Sequence, residues 1–282
     1  IDKKRVADFT ADVQLHDVMG RLRRDLPALD MAQVSGRLIV SEQANTGKKY
    51  LPSIFGQVGH GLALVNFSMQ ARDGTSLPAM TLRETFTPGV KGQAEKVDVF
   101  VSALDLQTLA GLAEHLPLPK DQRQMLLDFE PRGQLKNFTA RWQGSYPDIA
   151  SYQIKGEFSK LSLRAQAAQL ARAKTASNPA RAAIPAIPGF ENLSGNIDAS
   201  ERGGHFVLDS DNLAFRLPSY FVDPLMPFQR LKMQAAWQIT NQDQLLFQVQ
   251  QMEAHQDGMV AHLNGRHSMS MRAANEGDFG EV

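Results

Sequence analysis

The 282-residue chain contains no cysteine. That absence excludes disulfides, thiol nucleophiles and thiolate metal sites together, while leaving the compartment open. An excess of one charge is also missing, since 30 Lys and Arg stand against 30 Asp and Glu. No global field draws the chain to nucleic acid or to an anionic surface. Aromatic residues make up only 7% of the sequence, with no basic aromatic stripe of the kind that binds single strands. No apolar run approaches the roughly 18 residues of a membrane-spanning helix. A signal peptide is absent and the first residue is Ile1. The expectation is a fragment cut from a longer protein, so missing targeting signals say nothing about the parent.

Motifs of catalysis are equally scarce. Thr46-Gly47-Lys48 imitates a phosphate loop, but Glu42 stands where the first glycine is needed and Lys49 where a Ser or Thr should bind magnesium. Gly59-His60-Gly61 lacks the third glycine of a dinucleotide fingerprint, and strand rather than helix is expected after it. The seven histidines include no zinc-protease pair, and no Gly-x-Ser-x-Gly elbow occurs. His262 and His267 read as flanking a turn at Gly265. Asp209-Ser210-Asp211-Asn212 hints at calcium, but the turn glycine and closing glutamate of such a loop are absent, so a hairpin turn is expected there. The expectation is a protein that is not an enzyme and needs no cofactor or metal.

What is present is alternation. Hydrophobic residues reach 43%, enough for a large buried surface. Period-two segments are expected as strands at 35–41, 61–71, 80–87, 97–103, 193–201, 205–208, 213–217, 231–239, 245–249 and 259–263. Within 131–164 a pattern occurs twice, 23 residues apart: Gly133-Gln-Leu-Lys-Asn-Phe-Thr-Ala-Arg141 and Gly156-Glu-Phe-Ser-Lys-Leu-Ser-Leu-Arg164. Each copy is a strand entered through a glycine, and an imperfect third copy starts at Gly265. Phe158 and Leu161 can share a face only if the strand bends or bulges between them.

Helix is expected at two places. Val13, Leu15, Val18, Met19, Leu22 and Leu26 recur near the helical period within 1–30, up to Pro27. A helical insertion is expected at 105–129, with Asp105 as N-cap, Leu109, Leu112 and Leu116 on one face, and a second helix begun by Pro119. Residues 165–188 read as a flexible Ala/Pro-rich insertion, and the last ten residues as a polar tail.

Many strands with few helices imply a mainly β, largely antiparallel sheet, apolar on one face. That face either packs on itself or stays open for a ligand. The residues expected to line it are Leu62, Leu64, Val97, Val99, Val101, Phe206, Leu208, Phe215, Met233, Trp237, Ile239 and Phe247.

Several stretches resemble one family. LDLQTLAGLAEHLPLP (104–119), PRGQLKNFTARW (131–142), the FENLSGNIDASERGG run from Phe190 to Gly204, and the LP…FxxPL run from Leu217 to Leu225 are similar to the YhdP branch of the AsmA-like proteins of Gram-negative bacteria. The resemblance runs from about Val34 to Leu263 and departs at 165–183. It implies an elongated, curved half-pipe like that of bridge-like lipid transfer proteins, here one continuous segment over 1–282. The parent is then a periplasm-spanning protein anchored in the inner membrane that carries phospholipids toward the outer membrane. The expected partners are phospholipid acyl chains and, through parts outside this chain, the two membranes. The competing expectation is a β-rich scaffold or protein-interaction module of the envelope. An envelope hydrolase is a third, for which no motif speaks.

Overall fold

A computed structural model describes residues 8–42, 59–90, 92–116, 118, 120–144, 149–168, 186–217, 225–240 and 244–270. Expectations at 44–49, Pro119, 169–185 and 271–282 lie outside the described residues.

Twelve strands form one sheet in chain order, every neighbour antiparallel. They are β1 (Asp8–Gly20), β2 (Leu29–Glu42), β3 (His60–Ala71), β4 (Ser76–Thr87), β5 (Lys96–Asp105), β6 (Arg132–Gln143), β7 (Ser151–Leu163), β8 (Gly189–Ser200), β9 (Gly203–Arg216), β10 (Leu225–Ile239), β11 (Gln244–Gln256) and β12 (Met259–Ser270). β1 pairs with β2 and β12 with β11, and the two ends of the sheet do not meet, so the sheet is not closed into a barrel. Two short helices, α1 (Leu106–Leu112) and α2 (Lys120–Phe129), sit between β5 and β6. Asp105 caps α1 by accepting from the Thr108 amide at 2.8 Å, as expected for a carboxylate at a helix start.

One face carries cross-strand ion pairs set directly opposite one another. Arg37 donates to Asp12 at 2.7 Å, Arg141 reaches Asp98 at 2.6 Å and Lys155 reaches Asp198 at 3.0 Å. The other face is apolar and holds two buried clusters. The first gathers Leu29, Val34, Met69, Leu77, Met80 and Val101 under Leu112 of α1. The second gathers Leu208, Leu213, Leu231 and Ala254.

A mid-strand device bends the sheet. Asp17, Asn66, Asn137, Lys160, Asn192 and Asn212 all have left-handed backbone, one in each of β1, β3, β6, β7, β8 and β9. Pairing registers shift at Asn66, Asn137, Lys160 and Asn192. A bulge of this kind bends its strand and sharpens the local twist. It also lets residues three apart face the same way: Leu64 and Phe67 join one cluster, as do Leu135 and Phe138. At three of these residues a neighbouring hydroxyl accepts from the amide. Asn66 N–H donates to Thr81 Oγ1 at 3.3 Å, Lys160 N–H to Ser194 Oγ at 2.9 Å, and Asn192 N–H to Ser162 Oγ at 3.1 Å.

Asn and Asp tolerate the left-handed region far better than Lys. Lys160→Asn is therefore expected to stabilise the chain by about 0.5–1 kcal/mol. The check is a higher urea midpoint at unchanged m-value.

The structure also overturns four expectations. Residues 8–20 are strand, not helix. In β1 the alternation Phe9, Ala11, Val13, Leu15 resumes at Val18 because Asp17 interrupts it, and the step of three imitates a helical period. Asp209–Asn212 is not a turn but lies inside β9, with the bulge at Asn212. No turn lies at Gly265 either: His262 and His267 both lie within β12. In the sequence Arg202-Gly203-Gly204 reads as the turn of a hairpin, but the glycine pair opens β9 and the turn falls on Glu201-Arg202.

Candidate functional site

The apolar face follows from register. Directly opposed residues share a face, so a row can be traced across the sheet from one strand to the next. From Phe9 and Val40 it runs through Leu62, Glu84, Val99, Ala140, Ile154, Ala199, Gly204, Trp237 and Phe247 to His267. At about 4.8 Å per strand its contour is about 50 Å. Of these side chains only Ala199 is fully buried; the rest keep part of their surface open. A second row beside it holds His60, Phe86, Val97, Trp142 and Tyr152.

The twelve residues expected to line the face divide between this lane and the sealed clusters. Leu62, Val97, Val99, Trp237, Ile239 and Phe247 belong to neither cluster and are half-buried. Val101 is 2% exposed, wrapped by the cluster beneath α1, and Leu64 packs against that cluster. Leu208 is 8% exposed in the second cluster, against which Phe206, Phe215 and Met233 pack. In the first half of the sheet Leu112 of α1 joins the same buried cluster as Met69, Leu77 and Val101. The open lane therefore runs along one end of the strands, on one side of the bulge line.

Trp237 shows how the lane is built. It stands opposite Gly204, and a methyl there would lie 2.9 Å from the indole Cη2. The ring spreads over that bare backbone and reaches Phe206 at 6.0 Å between ring centres, and Phe247 lies 6.5 Å from Phe206. The glycine thus gives the indole a flat seat.

Sequence reasoning missed the polar interruption. Glu84 stands between Leu62 and Val99 in the row, and His60 Nε2 lies 3.3 Å from Glu84 Oε2. Their side chains are 14% and 23% exposed, and the His60 ring lies against Phe86 at 5.4 Å. Burial pushes the Glu84 carboxyl above its ordinary range, although His60 pulls it down. The signal available was parity: Glu84 falls in phase with Leu82 and Phe86 in β4.

Among the described residues, no group of three or more His, Asp or Glu is placed to hold a metal ion. Also among them, no helix is long and apolar enough to cross a membrane. A family model described as YhdP protein matches residues 1–279. Neither the curated proteins nor the solved structures contain a match.

Proposed function

The chain belongs to the YhdP protein family, and from that premise we propose that it is one continuous section of a lipid-transfer wall in the bacterial cell envelope. The section lies in the periplasm, and a segment outside this chain anchors it to the inner membrane. Its lane takes phospholipid acyl chains and shields them between the inner and outer membranes. The observation that carries this reading is the row of mostly apolar, mostly half-exposed residues that crosses the sheet from Val40 to Phe247, with Glu84 its one charged member.

The physics needs no reacting group. Each methylene held in water costs about 0.8 kcal/mol. A chain of about sixteen carbons is then disfavoured in water by on the order of 10 kcal/mol. A wall of Leu62, Val99, Ile154, Trp237 and Phe247 removes much of that cost along the whole path. Because similar side chains recur strand after strand, a bound chain moves between sites of similar energy. An open lane leaves the headgroup in water, which avoids the penalty of burying its charge.

The test is lipid extraction from purified protein together with native mass spectrometry. The expected result is co-purifying phospholipid that detergent washing removes and added phospholipid restores. A chain that carries no lipid and takes none up has a sheet face that serves another purpose, and the scaffold reading replaces this one.

A further inference from the structure

A polar pair interrupts the otherwise apolar lane. Replacing a sunken ion pair by well-packed apolar residues is commonly neutral or stabilising. Yet Glu84 occupies a position whose neighbours on both sides, Leu62 and Val99, are apolar, and His60 sits 3.3 Å away. With 14% and 23% of their side-chain surface open, both can be touched from the lane.

A second observation places the pair at a particular level. The row containing His60 continues through Phe86 to Trp142 and Tyr152, both half-buried. Trp and Tyr are the residues that settle at the boundary between hydrocarbon and headgroup, with the ring in the apolar layer and the polar atom toward water. This row forms one border of the lane. Acyl chains beside Leu62 and Val99 therefore place their headgroups along the row of Trp142 and Tyr152.

Resting on the lipid-transfer reading, we propose that His60 and Glu84 form a contact site for a zwitterionic phospholipid headgroup, one that bears both a phosphate and an ammonium. The Glu84 carboxylate accepts from the ammonium and the His60 ring N–H donates to a phosphate oxygen. The pair presents a hydrogen-bond donor beside an acceptor, and the zwitterion presents an acceptor and a donor in the complementary order. An anionic headgroup with hydroxyls in place of the ammonium satisfies His60 alone and leaves the Glu84 charge facing a phosphate. The site thus favours zwitterionic over anionic lipid without trapping either, since only the headgroup is recognised.

The experiment offers the chain an equimolar mixture of phosphatidylethanolamine and phosphatidylglycerol with identical acyl chains and reads the bound ratio by native mass spectrometry. Wild type is expected to favour the ethanolamine lipid by about tenfold, a charge-assisted hydrogen bond's share of discrimination. Glu84→Gln keeps the shape and removes the charge, and His60→Gln keeps a donor while removing the ring. Glu84→Gln is expected to bring the ratio near unity while total bound lipid stays the same, whereas His60→Gln, which touches a contact both lipids make, is expected to keep the preference. Equal binding of the two lipids by wild type, or a preference that survives Glu84→Gln, overturns the headgroup site and leaves the lane intact. Absence of either lipid from wild type overturns the lipid-transfer reading, and the headgroup site falls with it.

Discussion

Trp237→Glu is expected to leave the sheet folded and strip it of lipid, whereas Leu231→Glu is expected to unfold it. Both residues belong to β10 and lie on the apolar face. Leu231 is 2% exposed within the second cluster. Removing its side chain alone costs about 2–5 kcal/mol. Sinking a carboxylate in the same place adds several kcal/mol more. The sum rivals the entire stability of a typical domain, about 5–15 kcal/mol. Trp237 is half-buried and reaches Phe206 through ring contact alone. Losing it forfeits an aromatic pair, about 0.5–1.5 kcal/mol, and part of a side chain's burial. The new carboxylate can turn to water when the lane is empty. When an acyl chain lies across it, that water must leave, at several kcal/mol for an ion. Bound lipid per chain should fall at least about tenfold, while the urea midpoint drops by no more than about 2–3 kcal/mol equivalents. Circular dichroism and native mass spectrometry on the same samples read both. Equal unfolding by the two substitutions would make Trp237 a core residue and close the lane.

The architecture was legible wherever alternation ran undisturbed. Val97, Val99 and Val101 alternate without interruption in β5, and Met233, Ala235, Trp237 and Ile239 do so in β10. The same rule failed at the left-handed residues, because a residue with left-handed backbone inside a strand resets the parity. Leu15 and Val18 read as helix for that reason, and Asp209–Asn212 read as a turn because Asn and Asp are the residues that both turns and bulges select. Which lining residues stay open was not legible. Val97, Val99 and Val101 are equivalent in sequence pattern, and only Val101 belongs to the buried cluster that includes Leu112 of α1. Packing of a cluster drawn from several elements leaves no trace in local periodicity. Glu84 escaped notice because a lone acid within a strand reads as a solvent-facing residue unless the register is known.

The repeat in β6 and β7 has demanding geometry, and substitutions of its glycines carry the other large effect. Its two copies lock each other. Gly133, first in one copy, faces Lys160, fifth in the other: a methyl on Gly133 would lie 2.5 Å from the Lys160 carbonyl oxygen and 2.8 Å from the Leu161 Cα. Gly156, first in the second copy, faces the bulge made by Asn137: a methyl there would lie 2.6 Å from Phe138 Cδ2 and 2.8 Å from its Cα. Each bulge pushes its strand toward the neighbour, and only a residue without a side chain accepts the approach. Gly36 repeats the arrangement against Asn66 and Phe67 in β3, with a methyl 2.6 Å from the Phe67 Cα. Gly133 also has φ +100, a conformation that costs a side-chain-bearing residue about 1–3 kcal/mol. Adding the forced separation of two backbones, Gly133→Ala is expected to cost about 3–5 kcal/mol. Gly156→Ala, with clash but without left-handed backbone, is expected to cost about 1–3 kcal/mol. Gly111→Ala is the control, since open space surrounds it at the end of α1 and the change should stabilise by about 0.5–1 kcal/mol. Urea titration of the three variants ranks them. If Gly133→Ala matched Gly111→Ala, the strands would not be held together at the bulges, and the bend that turns this sheet into a groove would need another cause.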